Sequence, residues 1–201
     1  MAAFDGVYGP ILTLQFKKSG VWANVNTDDY LEIGIMRGRQ SVLATLEAGT
    51  MTVRLNNRSG IYDPSATTGT WTVGGVSIIR PGMEARLLAT WSATNYTIFT
   101  GYLENPFSDE GINPSVVLRF ADGIWVISRS IAPVLTVAQV STYANETTST
   151  RVGRMLDLAS WPVADRSLTG SVQLNGDPQD RSCMSIIREC ANAEAGKFYI
   201  T

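Results

Sequence analysis

The side chains best placed to do chemistry in this 201-residue chain are its carboxylates, one arginine pair and two thiols, because it contains no histidine. Without imidazole there is no Ser-His-Asp or Cys-His nucleophile, no neutral-pH proton shuttle and no histidine ligand for zinc. Glu47 and Glu104 could in principle act as an acid and nucleophile pair on a glycosidic bond, but nothing in the sequence brings them together. Asp177 and Asp180 lack the alternating ligands and closing glutamate of a calcium loop, so a loop and a helix cap are the better reading. Arg37 and Arg39 flank Gly38 on an extended segment and project from one face. A phosphate or carboxylate could sit between them; a strand end facing a neighbouring subunit or solvent is the simpler expectation. Cys183 and Cys190 fall seven apart on one helix, ~10 Å along its axis, beyond disulfide reach. They read as two buried, reduced thiols. No phosphate-binding, dinucleotide or nucleophile-elbow motif and no Cys spacing for a metal is present, so no cofactor and no catalytic residue is expected.

Charge adds little. The net charge is −2, and the parts before and after residue 130 carry −1 each, so no basic half marks a specific nucleic-acid footprint. Arginine outnumbers lysine thirteen to three, a bias expected either of subunit contacts or of codon usage. No run nears the ~18 apolar residues of a membrane helix, so no stable membrane insertion is expected. The opening residues lack the basic and apolar blocks of a signal peptide. The Asn-x-Ser/Thr triplets at Asn57, Asn95 and Asn145 therefore read as chance.

These residues must be carried by strands as far as about residue 130. Leu12, Leu14 and Phe16 alternate with polar neighbours, as do Met51, Val53 and Leu55, and Val116, Leu118 and Phe120. Leu31, Ile33 and Ile35 share a face, and Trp91 and Phe99 fall at core positions. Gly, Asn, Asp and Pro clusters separate the strands, with Asn57 and Asp63-Pro64 as turn formers and Gly49 at a bend. Trp71, in Thr-Gly-Thr-Trp-Thr-Val-Gly-Gly, reads as a large ring on a flexible loop, free to dock on a partner subunit. After residue 140 a polar stretch suits a linker. Ser149 or Thr150 then caps a helix carrying Val152, Met155, Leu156 and Ala159, stopped at Trp161-Pro162. Asp180 caps a second, with Cys183, Ile186, Ile187, Cys190 and Ala191 inward and its end at Gly196. Lys197–Thr201 then begins a strand.

The fold class is thus mainly β with an α+β C-terminal part: an antiparallel β-barrel over residues 1–140, then a two-helix α+β domain over 141–201 that ends unfinished.

The order Arg37-Gly38-Arg39, Glu47-Ala48-Gly49-Thr50, Leu55-Asn56-Asn57-Arg58, Tyr62-Asp63-Pro64, Arg80-Pro81-Gly82 and Phe99-Thr100-Gly101-Tyr102 resembles minor tail proteins of long-tailed bacteriophages, the group similar to tail-hub and baseplate-hub proteins. The later segment is similar too, with Ser160-Trp161-Pro162 where that group usually has Gly-Trp-Pro. The conspicuous residues of that block are architectural turns, Gly49, Asn57, Asp63, Pro64 and Gly101, and Arg37, Arg39 and Trp71 are the candidate subunit contacts. The resemblance implies a non-enzymatic ring in the virion tail tip, assembled in the host cytoplasm. Such a ring is a homotrimer or, with one barrel per chain, a homohexamer. Its partners would be the tail tube or distal tail protein, the tape measure and tip proteins, and its lumen would pass DNA. A receptor- or carbohydrate-binding β-module of the tip is the alternative reading.

Overall fold

The computed structural model describes residues 9–36, 48–109, 114–162 and 166–194. They form two compact units that divide between Asp122 and Gly123.

The first unit is one antiparallel sheet. Its strands are β1 (Ile11–Lys18), β2 (Val21–Asn24), β3 (Tyr30–Met36), β4 (Thr50–Asn56), β7 (Glu84–Trp91), β8 (Thr94–Asp109) and β9 (Ser115–Ala121), in the order β2-β1-β7-β8-β9-β4-β3. A small ribbon, β5 (Thr72–Val73) with β6 (Val76–Ser77), stands apart. Ser19 and Gly20, with φ of 50° and 82°, supply the two left-handed residues of a tight hairpin between β1 and β2. Ser92 and Ala93 do the same between β7 and β8 without a glycine.

The alternation read from the sequence fixes one face. Leu14 and Phe16, Met51, Val53 and Leu55, and Val116, Leu118 and Phe120 are all buried on it. That face is concave. β1 and β9 lie three steps apart, ~14 Å in a flat sheet, yet the Phe16 and Phe120 ring centroids are 6.0 Å apart. β1 and β3 lie five steps apart, yet the Leu14 amide donates to the Tyr30 hydroxyl at 2.9 Å. No ladder joins β2 to β3 among the described residues. The curl is therefore spanned by a side chain, and the closed antiparallel barrel expected from the sequence is not found among the described residues.

The connection from β4 to β7 covers this face, contributing Tyr62, Trp71, Ile79 and Met83 to the core. Two expectations are corrected here. Trp71 is 2% exposed, set edge-on to Phe16 and stacked near Tyr62 at 5.1 and 6.3 Å. Its ring is core, with no free face to dock. Trp91, expected in the core, is 51% exposed, because β7 runs past the end of the packed interior.

The second unit holds α1 (Gly123–Arg129), α2 (Val137–Thr142), α3 (Thr148–Leu158) and α4 (Cys183–Ala193). Only α3 and α4 were expected; α1 and α2 are seven and six residues long, too short for a helical period to declare itself. α1 packs against α4, and the Cys183 amide donates to the Ser130 carbonyl at 2.7 Å. That contact is why the division falls at Asp122 and not near residue 140. α3 and α4 bury Val152, Met155 and Leu156 with Ile186, Ile187 and Cys190 as anticipated, but their caps shift. Thr147 caps α3 in place of Ser149 or Thr150, and Ser182 caps α4 in place of Asp180. The expected polar linker instead holds the end of α2 and the start of α3.

Candidate functional site

Gly49 enters β4 beside Asp122, which leaves β9. The Gly49 amide donates to the Asp122 carboxylate at 2.7 Å, and the Asp122 amide returns a bond to the Gly49 carbonyl at 2.9 Å. A Cβ on Gly49 would stand 2.9 Å from that carboxylate oxygen, so a glycine allows the clamp. Asn57 is buried and closes the turn after β4: its side chain accepts from the Tyr62 amide at 3.0 Å, and its own amide reaches the Pro114 carbonyl. Asp63 accepts from the Ser65 amide and hydroxyl, both at 2.7 Å, which hold its carboxyl below the usual range. Pro64, exposed, continues that turn. Gly101 is no turn. It lies inside β8, where a Cβ would come within 2.5 Å of the Ala121 carbonyl and 2.6 Å of the Phe99 ring.

Arg37 and Arg39 lie outside the described residues, as does Glu47. Glu104 is half-buried beside a register shift between Leu103 and Asn105. Among the described residues no three Cys, Asp or Glu side chains gather as a metal site, and no helix is long and apolar enough to cross a membrane. Asp177 accepts from the Gln179 amide and pairs with Arg181 at 2.5 Å; against the cost of burial, these hold its carboxyl low. Cys183 and Cys190 are free and buried, and burial pushes the Cys190 thiol up to about 11. These are structural settings.

Sequence reasoning missed the polar centre of the second unit. Glu146, preceding the Thr147 cap, receives Arg151 at 2.5 Å and Arg154 at 2.6 Å through one carboxylate oxygen, with Glu146 and Arg151 both buried. Arg151 also donates to the Asn175 carbonyl at 2.7 Å, and Arg154 lies 4.0 Å over the Tyr143 ring. The i, i+3 spacing of the arginines was visible, but the glutamate looked like linker. The cluster pins the 170–180 loop to α3.

Some of the exposed apolar side chains lie on the sheet margins. Val21 on β2 and Leu31 and Ile35 on β3 occupy the two edge strands. Leu12 and Tyr96 both pair across Ala89, forming an exposed row with Trp91 at one end of the concave face. The geometry offers surfaces for association.

No family model and no curated protein matches this chain. Two solved structures share its fold. One is the 43 kDa tail protein of prophage MuSo2 from Shewanella oneidensis, with a TM-score of 0.57 and 11% identity, covering 92% of this chain and 51% of that one. The other is the tail protein from Neisseria meningitidis MC58, with a TM-score of 0.52 and 12% identity, covering 92% and 45%. The chain spans about half the length of each, and its fold, across both units, is one found in tail proteins.

Proposed function

We propose that this chain is a structural component of a bacteriophage tail, a hub-type ring subunit at the tail tip. The ring would join the tail tube to the distal tip and let the tape measure and DNA through. The observation that carries this reading is the fold likeness over 92% of the chain to two tail proteins. The curled sheet, whose two margins pair with no further strand among the described residues, suits a subunit whose barrel is completed by neighbours, and Trp71, Tyr62 and the turn residues act as its frame. The absence of histidine agrees with a role that needs no proton transfer. Ring order is threefold or sixfold, with tail-tube or distal-tail, tape-measure and tip proteins as neighbours.

The test is mass spectrometry of particles purified from cells carrying the encoding genome, with and without the gene. The chain is expected among the tail proteins, and its deletion should leave heads without competent tails. Infectious particles that lack the chain would refute the role. The glycan-binding alternative loses Trp71 as its anchor, and rests on the exposed Trp91 and Tyr96 alone. Full adsorption by particles carrying Trp91→Ala and Tyr96→Ala would dismiss it.

A further inference from the structure

The connection from α3 to α4 holds the chain's one Asn-Gly pair, Asn175-Gly176, and the fold arranges charge around it. Leu174, just before it, is fixed on both sides: its amide donates to the Glu146 carbonyl at 3.0 Å, and its carbonyl accepts from the Asn145 amide at 2.9 Å. The buried Arg151 guanidinium donates to the Asn175 carbonyl at 2.7 Å. Glu146 answers both Arg151 and Arg154, so within that trio one positive charge is left over beside this carbonyl. Asp177, the next carboxylate along the loop, is engaged by the Gln179 amide and by Arg181. Asn175 itself is exposed, and neither its carboxamide nor the Gly176 amide has a hydrogen-bond partner among the described residues. Packing requires glycine at 176, where a Cβ would stand 2.8 Å from Val140 Cγ1 and 2.9 Å from the Val140 carbonyl oxygen. The residue that leaves this nitrogen unshielded is thus the one the fold demands.

We propose that Asn175 is a site of self-modification, cyclising onto the Gly176 amide with Arg151 as the activating group. The Gly176 nitrogen reacts as its anion, whose charge resides largely on the Asn175 oxygen that the guanidinium holds. It attacks Asn175 Cγ; the bond from Cγ to Nδ2 breaks, and Nδ2 leaves as ammonia with the proton that Gly176 gave up. Water then opens the cyclic imide. Arg151 polarises the former main-chain carbonyl, so water adds there, the bond from that carbon to the Gly176 nitrogen breaks, and the nitrogen takes a proton from the water. The product is an isoaspartyl link through Cγ, and the freed carboxylate stays as an ion pair with Arg151. One unit of added acidity at the amide raises its reactive anion, and with it the rate, about tenfold. This modification goes beyond the tail reading and does not depend on it.

Incubation of the 201-residue chain in heavy-oxygen water at mildly alkaline pH tests it, because each ring opening leaves a labelled oxygen in the tryptic peptide 167–181. Methylation by an isoaspartyl methyltransferase scores the isoaspartyl share. The native chain should convert about tenfold faster than a synthetic peptide of residues 167–181, with a larger isoaspartyl share. Arg151→Met, first shown to melt cooperatively, should fall to the peptide's rate, and Asn175→Gln should take up no label there. Native conversion at or below the peptide's rate, or an excess that survives Arg151→Met, overturns the proposal. Should Arg151→Met fail to fold, the comparison of native chain with peptide decides alone.

Discussion

The Tyr30 hydroxyl bridges the middle of β1 and the residue that follows β2, accepting from the Leu14 amide at 2.9 Å and donating to the Val25 carbonyl at 3.2 Å. One phenol thus links the last strand of the sheet to the second, where a backbone ladder would otherwise be needed to hold the curl. Burial pushes this phenol up from its ordinary value, against the opposing effect of the Leu14 bond.

Tyr30→Phe keeps the ring and removes the link, leaving the amide of buried Leu14 and the carbonyl of buried Val25 without it. The expected cost is about 1–3 kcal/mol in urea unfolding, with faster hydrogen exchange at Leu14. An unchanged midpoint would show that the curl is held elsewhere.

The two tryptophans that exchanged places relative to expectation should separate sharply. Trp71→Ala opens a cavity between Phe16 and Tyr62 and should cost about 3–5 kcal/mol. Trp91→Ala should stay within about 0.5 kcal/mol. Thermal melts of the two variants measure the contrast.

Ser160 occupies the left-handed position that ends α3, with φ of 55°, and the Trp161 amide reaches back to the Leu156 carbonyl at 2.9 Å. This is where a glycine is preferred. Ser160→Gly should therefore stabilise the second unit by roughly 1 kcal/mol, read as a higher melting temperature.

Tyr62 donates to Asp29 at 2.7 Å, and burial followed by that carboxylate drives its phenol well above the ordinary 10.0. A raised folded value means that the stabilisation is complete below pH ~10 and is lost as pH rises beyond the unfolded value toward the folded one. Stability should fall above pH ~10, and Tyr62→Phe should flatten that limb after allowance for the remaining tyrosines. Equilibrium unfolding between pH 8 and 11 distinguishes the two curves.

The strands were legible where one face meets the core and the other does not, as in Met51, Val53 and Leu55 against Thr52, Arg54 and Asn56. Trp71 was hidden because its burial comes from Phe16 and Tyr62, distant in sequence, while its neighbours are turn residues. Trp91 had the right parity but lies beyond the end of the packed interior. Gly101 resembled a turn because the folded Phe99 ring that requires it cannot be read from spacing. Four consecutive residues, Thr147 to Thr150, could each cap α3, and the choice is made by the Thr148 amide reaching Val172. The Glu146 cluster was missed because a lone glutamate in a polar stretch gives no sign of the two arginines that will bury it.

Electron cryomicroscopy of tails from wild-type particles tests the central claim most directly. The account predicts a ring of threefold or sixfold order at the tip end, into which the curled sheet fits once per subunit. Tails in which no density accommodates this fold would contradict it.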